Sequence, residues 1–339
     1  MTTYLLRRLL LIAPTLLGIS LACFILIQFV PGGPVEELIS KVRAVGSARG
    51  AKVATISAAE VANIKSYFGF DRPAHERYLK WLGDLLRGDF GKSYVYHAPV
   101  LEVILSKMPV SLFFGLTSFF LSYLVSVPLG VMKAVRNGSG FDVATSVLVF
   151  VGFVIPGFAL GILLIIFFGG GSYLDWFPIS GTISDNHEFL SPWGKLTDFL
   201  HHMVMPLTCY MIAEFAFLTV LTKNSLLEEL NKDYIRTALA KGVPFRRVAW
   251  KHGLRNALVP LATGMGGLFT VMFAGALLIE RVFNIDGMGL LFYNSIVGRD
   301  YNVVLGLIVL ISFFTIRSEE HTSELQSHHD LVCRLLLEK

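Results

Sequence analysis

Residues Val143–Leu174 read VATSVLVFVGFVIPGFALGILLIIFFGGGSYL, a run of 32 residues without one charged side chain. Roughly 20 apolar residues are enough for a helix to cross the hydrocarbon core of a bilayer. The run exceeds that length. Its helix is expected to end near Phe168, because Gly169-Gly170-Gly171 follows.

Five more segments obey the same rule on either side of it. Leu9–Val30 meets no charge until Glu36, and Pro109–Met132 comes next. After the opening run come Met203–Thr222, interrupted only by Glu214, then Ala257–Ile279, and a last segment that starts near Asn302 and is cut short at Ile316. The predicted fold class is an all-α membrane protein with six transmembrane helices, the last one truncated. Composition agrees: 16% of residues are charged and the mean hydropathy is +0.62, against about 25% charged in soluble domains. Arg7 and Arg8 precede the first segment as they would in a signal peptide. The segment is longer than a signal core and no small-x-small cleavage site clearly follows, so it reads as a retained span that stops at Pro31-Gly32-Gly33-Pro34. Cys23, Cys209 and Cys333 lie far apart, which suggests neither a disulfide framework nor a metal site.

Lys and Arg in short loops set orientation. Arg7 and Arg8 precede the first span, and Lys133 and Arg136 follow the second. The loop after the fourth holds Lys223, Lys232, Arg236, Lys241, Arg246, Arg247, Lys251 and Arg255. The alternate loops are poorer, with Lys195 in one and Arg281 and Arg299 in the other. The N-terminus and both basic loops are therefore expected in the cytoplasm. Pro31–Met108 is long, and long segments cross largely regardless of charge. It is expected outside, as an external segment between the first two helices.

The stretch Arg317–Lys339 breaks the pattern. Arg317–Ser327, RSEEHTSELQS, and Asp330–Lys339, DLVCRLLLEK, both fit the translation of a common sequencing-library adapter in one frame. The expectation is an adapter-derived, non-native tail, which removes His321, His328, His329 and Cys333 from consideration as metal ligands. Excluding its three basic and five acidic residues moves the formal charge from +4 to +6. A genuine genomic copy of the tail, found on independent resequencing, would refute this reading.

Asn224–Pro260 reads NSLLEELNKDYIRTALAKGVPFRRVAWKHGLRNALVP. Asn231 can cap a helix in which Asp233 occupies the first turn. Ile235, Leu239 and Val243 recur four apart, and Gly242 before Pro244 is a stop signal. A second helix is expected from Pro244-Phe245. Orientation alone accounts for the basic residues. It does not account for the small residues Ala238, Ala240 and Gly242 beside Tyr234 and Arg236, which would let a partner surface approach closely.

This loop resembles the EAA loop of ABC-importer permeases. Asp233-Tyr234-Ile235-Arg236-Thr237-Ala238 with Ala240-Lys241-Gly242, and Arg255-Asn256-Ala257-Leu258 with Pro260, resemble the peptide-permease version. The commoner pattern has a proline nearer Arg255. The start Tyr4–Leu9 through Pro14-Thr15, the stretch Val30–Pro34, the external Tyr67–Pro73 and Gly88–Ser93, and Ile279-Glu280 with Phe283, Gly287, Gly289 and Arg299-Asp300-Tyr301 are also similar. Asn302 departs, since proline is usual there. Lys133-Ala134-Val135, Asn137-Gly138-Ser139, Phe141-Asp142 and Leu221–Ser225 look most like the first permease subunit of microcin C and oligopeptide-type importers.

The resemblance covers most of Met1–Ile316 and implies a multi-pass bacterial inner-membrane permease domain. It implies that Asp233, Tyr234, Arg236, Thr237, Ala238, Ala240, Lys241 and Gly242 seat in a partner ATPase. It further implies a second permease subunit, two ATPase subunits carrying ATP and magnesium, a periplasmic solute-binding protein and a peptide-like substrate, with no cofactor on this chain and no nucleic acid. No G-x-x-x-x-G-K-[ST] run occurs, consistent with an ATPase on another chain.

Two carboxylates stand apart. Glu214, within the fourth span, is either a pathway residue or a neutral or paired carboxyl at a helix interface; a mid-bilayer charge costs about 2.5–3.5 kcal/mol on insertion scales. Glu280 either ties down the loop near an external gate or is solvated. His201-His202 read as interface histidines, and Gly264, Gly266 and Gly267 as packing glycines. The rival class is an intramembrane enzyme or a stand-alone channel. The enzyme lacks an H-E-x-x-H, a G-x-S-x-G or paired intramembrane aspartates, and the channel leaves the loop unexplained.

Overall fold

Backbone groups in lipid have no water to bond, so an apolar chain satisfies them within helices. The computed structural model of the chain describes residues 2–29, 33, 35–36, 39–40, 58–67, 70–171, 173–263 and 275–316. Among them the architecture is helical, with a single isolated bridge between Lys92 and Pro99. The first part of the chain gives α1 (Thr2–Phe29), α2 (Ala58–Tyr67), α3 (Ala74–Leu86) and α4 (Val100–Val135). Next come α5 (Gly140–Val154), α6 (Gly157–Phe168), α7 (Pro192–Leu230) and α8 (Asp233–Ala240). A short turn α9 (Phe245–Arg247) runs through a π-helical segment, Val248–Gly253, into α10 (Leu254–Thr263). Then follow α11 (Leu277–Val282), α12 (Met288–Val297) and α13 (Tyr301–Ile316).

Leu11–Phe29, Val100–Val135 and Pro192–Leu230 are each long and apolar enough to cross a membrane, and α5 with α6 adds a fourth if counted as one span. α12 and α13 are shorter apolar helices. The opening run does not form the one helix expected of it. α5 and α6 meet at a bend of 100°. Pro156 has no N–H and restricts Ile155, which takes φ −79° and ψ 118°, outside the helical region. The expected stop at Phe168 is found. The middle of the fifth expected span, including Gly264, Gly266 and Gly267, lies outside the described residues, as do the expected adapter-derived tail, part of Pro31–Met108 and most of the Pro31–Pro34 stop.

The chain forms two compact units, Met1–Pro109 with Leu291–Ile316, and Val110–Leu290. In the first, α3 packs beside α1: the Ser20 and Tyr78 hydroxyls are 3.0 Å apart and Phe24 meets the Tyr78 ring. Two sequence stretches more than 200 residues apart also meet there. Asp300, fully buried, accepts from the Ser93 hydroxyl at 2.5 Å and the Val95 N–H at 3.2 Å. Asn302 donates to the Lys92 carbonyl at 2.8 Å.

Among the described residues, the second unit has a core around Phe114, Met203, Cys209, Ile279, Phe283 and Ile285, and a smaller one of Val131, Ala134, Leu226 and Ala257. Lipid is as apolar as leucine, so close packing rather than water exclusion holds such helices together. Gly157 shows the tightness: a Cβ there would stand 2.7 Å from the Cys209 carbonyl oxygen. Large apolar side chains such as Leu148, Phe150 and Phe153 point outward on α5, the inside-out pattern of a chain whose solvent is lipid.

Candidate functional site

The loop between α7 and α10 is built from its caps upward. Asn231 does not cap α8. It ends α7, and its side-chain amide donates to the Leu227 carbonyl at 3.0 Å. Lys232 takes the extended conformation at the N-cap of α8 without a side-chain cap bond, so Asp233 in the first turn faces uncapped N–H groups that favour its charge. The other end matches expectation. Gly242 has φ +80°, its N–H reaches the Leu239 carbonyl at 2.9 Å, and the Val243 N–H reaches that of Ala238 at 3.2 Å. This pair of bonds is a Schellman stop, which needs a left-handed residue where glycine sits. Pro244 then starts the next helix.

α8 is fastened by few groups. Ile235 is its one fully buried side chain. Glu229, in the last turn of α7, accepts from Lys232 Nζ at 2.5 Å and from the Tyr234 hydroxyl at 2.6 Å. Asn256 of α10 donates to Tyr234 at 3.1 Å and to Glu229 at 3.4 Å. Burial and the bond to Glu229 push the Tyr234 phenol up to about 12. Tyr234 thus turns its polar end inward, and Ala238 is half-buried. Arg236, Thr237, Ala240, Lys241 and Gly242 remain exposed, and the Arg236–Asp233 pair at 3.4 Å is solvated and weak. The π segment buries Val248, Ala249 and Gly253 and carries the loop back onto α7. The arrangement presents a short exposed helix face on a rigid base.

Glu229 was missed by sequence reasoning, because nothing local links it to Asn256. So was a second cluster. Lys133 Nζ is almost completely buried and bonds the Asp142 carbonyl, Thr145 and Ser146 at 2.8–2.9 Å, with Asp142 Oδ1 at 3.1 Å. Lys223 Nζ reaches both Asp142 oxygens at 2.7–2.8 Å. The turn between α4 and α5 is thereby tied to α7. Its residues lie in stretches that carry the family likeness, but their separation in sequence implies no pairing.

Glu280 is fully buried, which overturns the solvated alternative. Its carboxylate accepts from Ser111 at 3.1 Å, Tyr210 at 3.0 Å, the Ala276 N–H at 3.2 Å and the Leu290 N–H at 2.8 Å. These bonds tie the segments on either side of the loop after α11 to α4 and α7. A Cβ at Gly287 would stand 2.6 Å from Glu280 Oε2, and one at Gly289 would stand 2.6 Å from the Leu277 nitrogen, so both positions need glycine. Glu214 is half-buried. His201 donates to the Trp176 carbonyl at 2.6 Å, and His202 is buried and donates to the Asp198 carbonyl at 2.9 Å.

The family described as "Binding-protein-dependent transport system inner membrane component" matches residues 126–318, more than half of the chain and all of this loop. The chain belongs to this family. It is 43% identical over 340 residues to the "Inner membrane ABC transporter permease protein YejB" of Escherichia coli O157:H7, covering 92% of this chain and 93% of that one. The "Peptidoglycan transport system permease protein YejB" of Agrobacterium fabrum is 39% identical over 338 residues, with 92% of each chain covered. The "Oligopeptide transport system permease protein AppB" of Bacillus subtilis is 36% identical over 311 residues, covering 91% and 92%. This is a multi-pass inner-membrane permease family, and the chain is an ABC permease subunit.

Proposed function

We propose that this chain is the transmembrane subunit of an importer that moves peptides or peptide-like compounds, of the microcin C or oligopeptide type, across the bacterial inner membrane. Hydrolysis of ATP with magnesium on two partner ATPases drives it, a second permease completes the pathway, and a periplasmic binding protein delivers the substrate. The names of the relatives support the class: one is an oligopeptide permease and another a peptidoglycan permease, whose cargo would be peptide-bearing. In this reading the chain has six spans, an external segment at Pro31–Met108 and a cytoplasmic N-terminus. Asn224–Pro260 is the coupling loop, and Glu280 steadies the external gate.

The observation that carries the proposal is α8. It exposes Arg236, Thr237, Ala240, Lys241 and Gly242 while Ile235, Tyr234, Glu229 and Asn256 hold it still. A partner can shift a transport equilibrium only through contacts that differ between the two states. A pinned helix transmits such a difference into α7 and α10, where a loose loop would absorb it. The test is co-expression with the neighbouring ATPase and second permease, followed by purification and uptake into proteoliposomes. Co-purification and ATP-dependent peptide uptake are expected. Flux through the chain alone, without ATPase, would overturn the proposal in favour of a channel.

A further inference from the structure

The first unit holds a cavity of about 360 Å³ that the transport reading does not use. Its walls include Phe24 and Gln28 near the end of α1, Arg77, Trp81 and Asp84 on α3, and Tyr301 at the start of α13. Asp89 and Gly91, from the Gly88–Ser93 stretch, also line it. Stretches singled out for family likeness at both ends of the chain therefore converge on one hollow.

Arg77 is the key group. Its guanidinium donates to Gln28 Oε1 at 2.6 Å and lies 4.5 Å over the Phe70 ring, and it forms no ion pair among the described residues. Its Nε has no hydrogen-bond partner. Burial pulls it below the ordinary arginine range. A cation partly withdrawn from water without a counter-charge is unfavourable, and an anion supplied from outside relieves that. Asp71, Asp84 and Asp89 line the same cavity with the opposite charge, and Arg72 and Lys80 share its wall with Arg77, so a ligand with both signs suits it better than a simple anion.

The setting selects the source. Phe24 and Ile27 on the wall belong to an apolar span, and α3 exposes Leu79 and Leu86 at 64% and 81% beside it. Trp and Tyr lining a site next to a span are the side chains found at headgroup level. The volume lies at the low end for small-ligand sites, about 300–1,000 Å³, which suits a headgroup better than an extended oligopeptide.

We propose that this cavity binds the zwitterionic headgroup of an outer-leaflet phospholipid, with phosphate at Arg77 and ammonium at Asp84 and Asp89. The outer-leaflet assignment rests on the external placement of Pro31–Met108. The assembled transporter, delipidated, is titrated with dihexanoyl-phosphatidylethanolamine, dihexanoyl-phosphatidylglycerol, inorganic phosphate and dialanine. The ethanolamine lipid is expected to bind best. Arg77→Gln should weaken it about tenfold, the scale of a lost charge-assisted hydrogen bond, and Asp84→Asn should erase its advantage over the glycerol lipid. Unchanged binding in Arg77→Gln, or displacement of the lipid by dialanine, would overturn the assignment. Wild-type protein gives an answer even if the variants do not assemble: photoreactive phosphatidylethanolamine placed in the outer leaflet should label residues 70–94 or 301–305. Labelling absent from both stretches would sink the site. Labelling from the inner leaflet alone would overturn the external placement instead, and peptide uptake by the same proteoliposomes reports separately on transport.

Discussion

At Glu280 one carboxylate takes four hydrogen bonds, from α4, α7, the first turn of α12 and the residue that precedes α11. The space around it is filled, so Gly287→Ala is expected to lower stability by about 1–3 kcal/mol, the usual cost of overpacking, read as a lower thermal midpoint of the purified protein. Asp142 holds two lysines, one of them buried. Removing one partner of a buried pair costs about 3–5 kcal/mol, because the other is stranded. Asp142→Ala should show that loss, and Lys133→Met added to it should recover part, because a packed apolar side chain replaces the stranded charge. Equal stability of the single and double variants would contradict the assignment. Glu214 carries a weaker case. Glu214→Ala is expected to assemble and import normally, and loss of uptake with normal assembly would place it on the pathway.

The elements behave as units. α8 ends where Gly242 turns left-handed, and a Cβ there meets nothing within 4 Å. Strain and obstruction can therefore be separated. Asn tolerates the left-handed region far better than most residues, so Gly242→Asn should keep uptake near wild type. Gly242→Trp should remain in the membrane yet hydrolyse ATP without import, because the indole occupies the docking face. Wild-type uptake by the Trp variant would count heavily against docking. In the bent pair, α6 lies against α7 at Gly157 with no room for a side chain. Gly157→Val should reduce yield and thermal stability more than Gly83→Val on α3, where a Cβ meets nothing within 4 Å.

At the scale of the whole molecule the proposal is a topology. Single cysteines at 138, 185 and 242 in a cysteine-free background test it with a membrane-impermeant thiol reagent. Positions 138 and 242 should be labelled only in inside-out vesicles, and 185 only in intact spheroplasts. Any other pattern overturns the orientation set by Lys and Arg.

Apolar length made α1, α4 and α7 legible, because a bilayer demands about 20 residues whatever they pack against. The end of α8 was legible too, since a Gly-x-Pro stop is local chemistry. The bend in Val143–Leu174 was harder: Pro156 was visible, but a proline within a helix can kink it slightly or end it, and packing decides which. The carboxylate hubs could not be read at all. Glu229 with Asn256, Asp142 with Lys223, and Ser93 with Asp300 join residues 27, 81 and 207 positions apart. By itself, then, the sequence determined a helical membrane chain with a basic two-helix loop, because hydropathy, loop charge and helix stops act over one span or one turn. Only the tertiary structure decided which buried charges neutralise each other, which face of α8 stays free, and that Arg77 forms no ion pair among the described residues, because electrostatic pairing depends on distance in space.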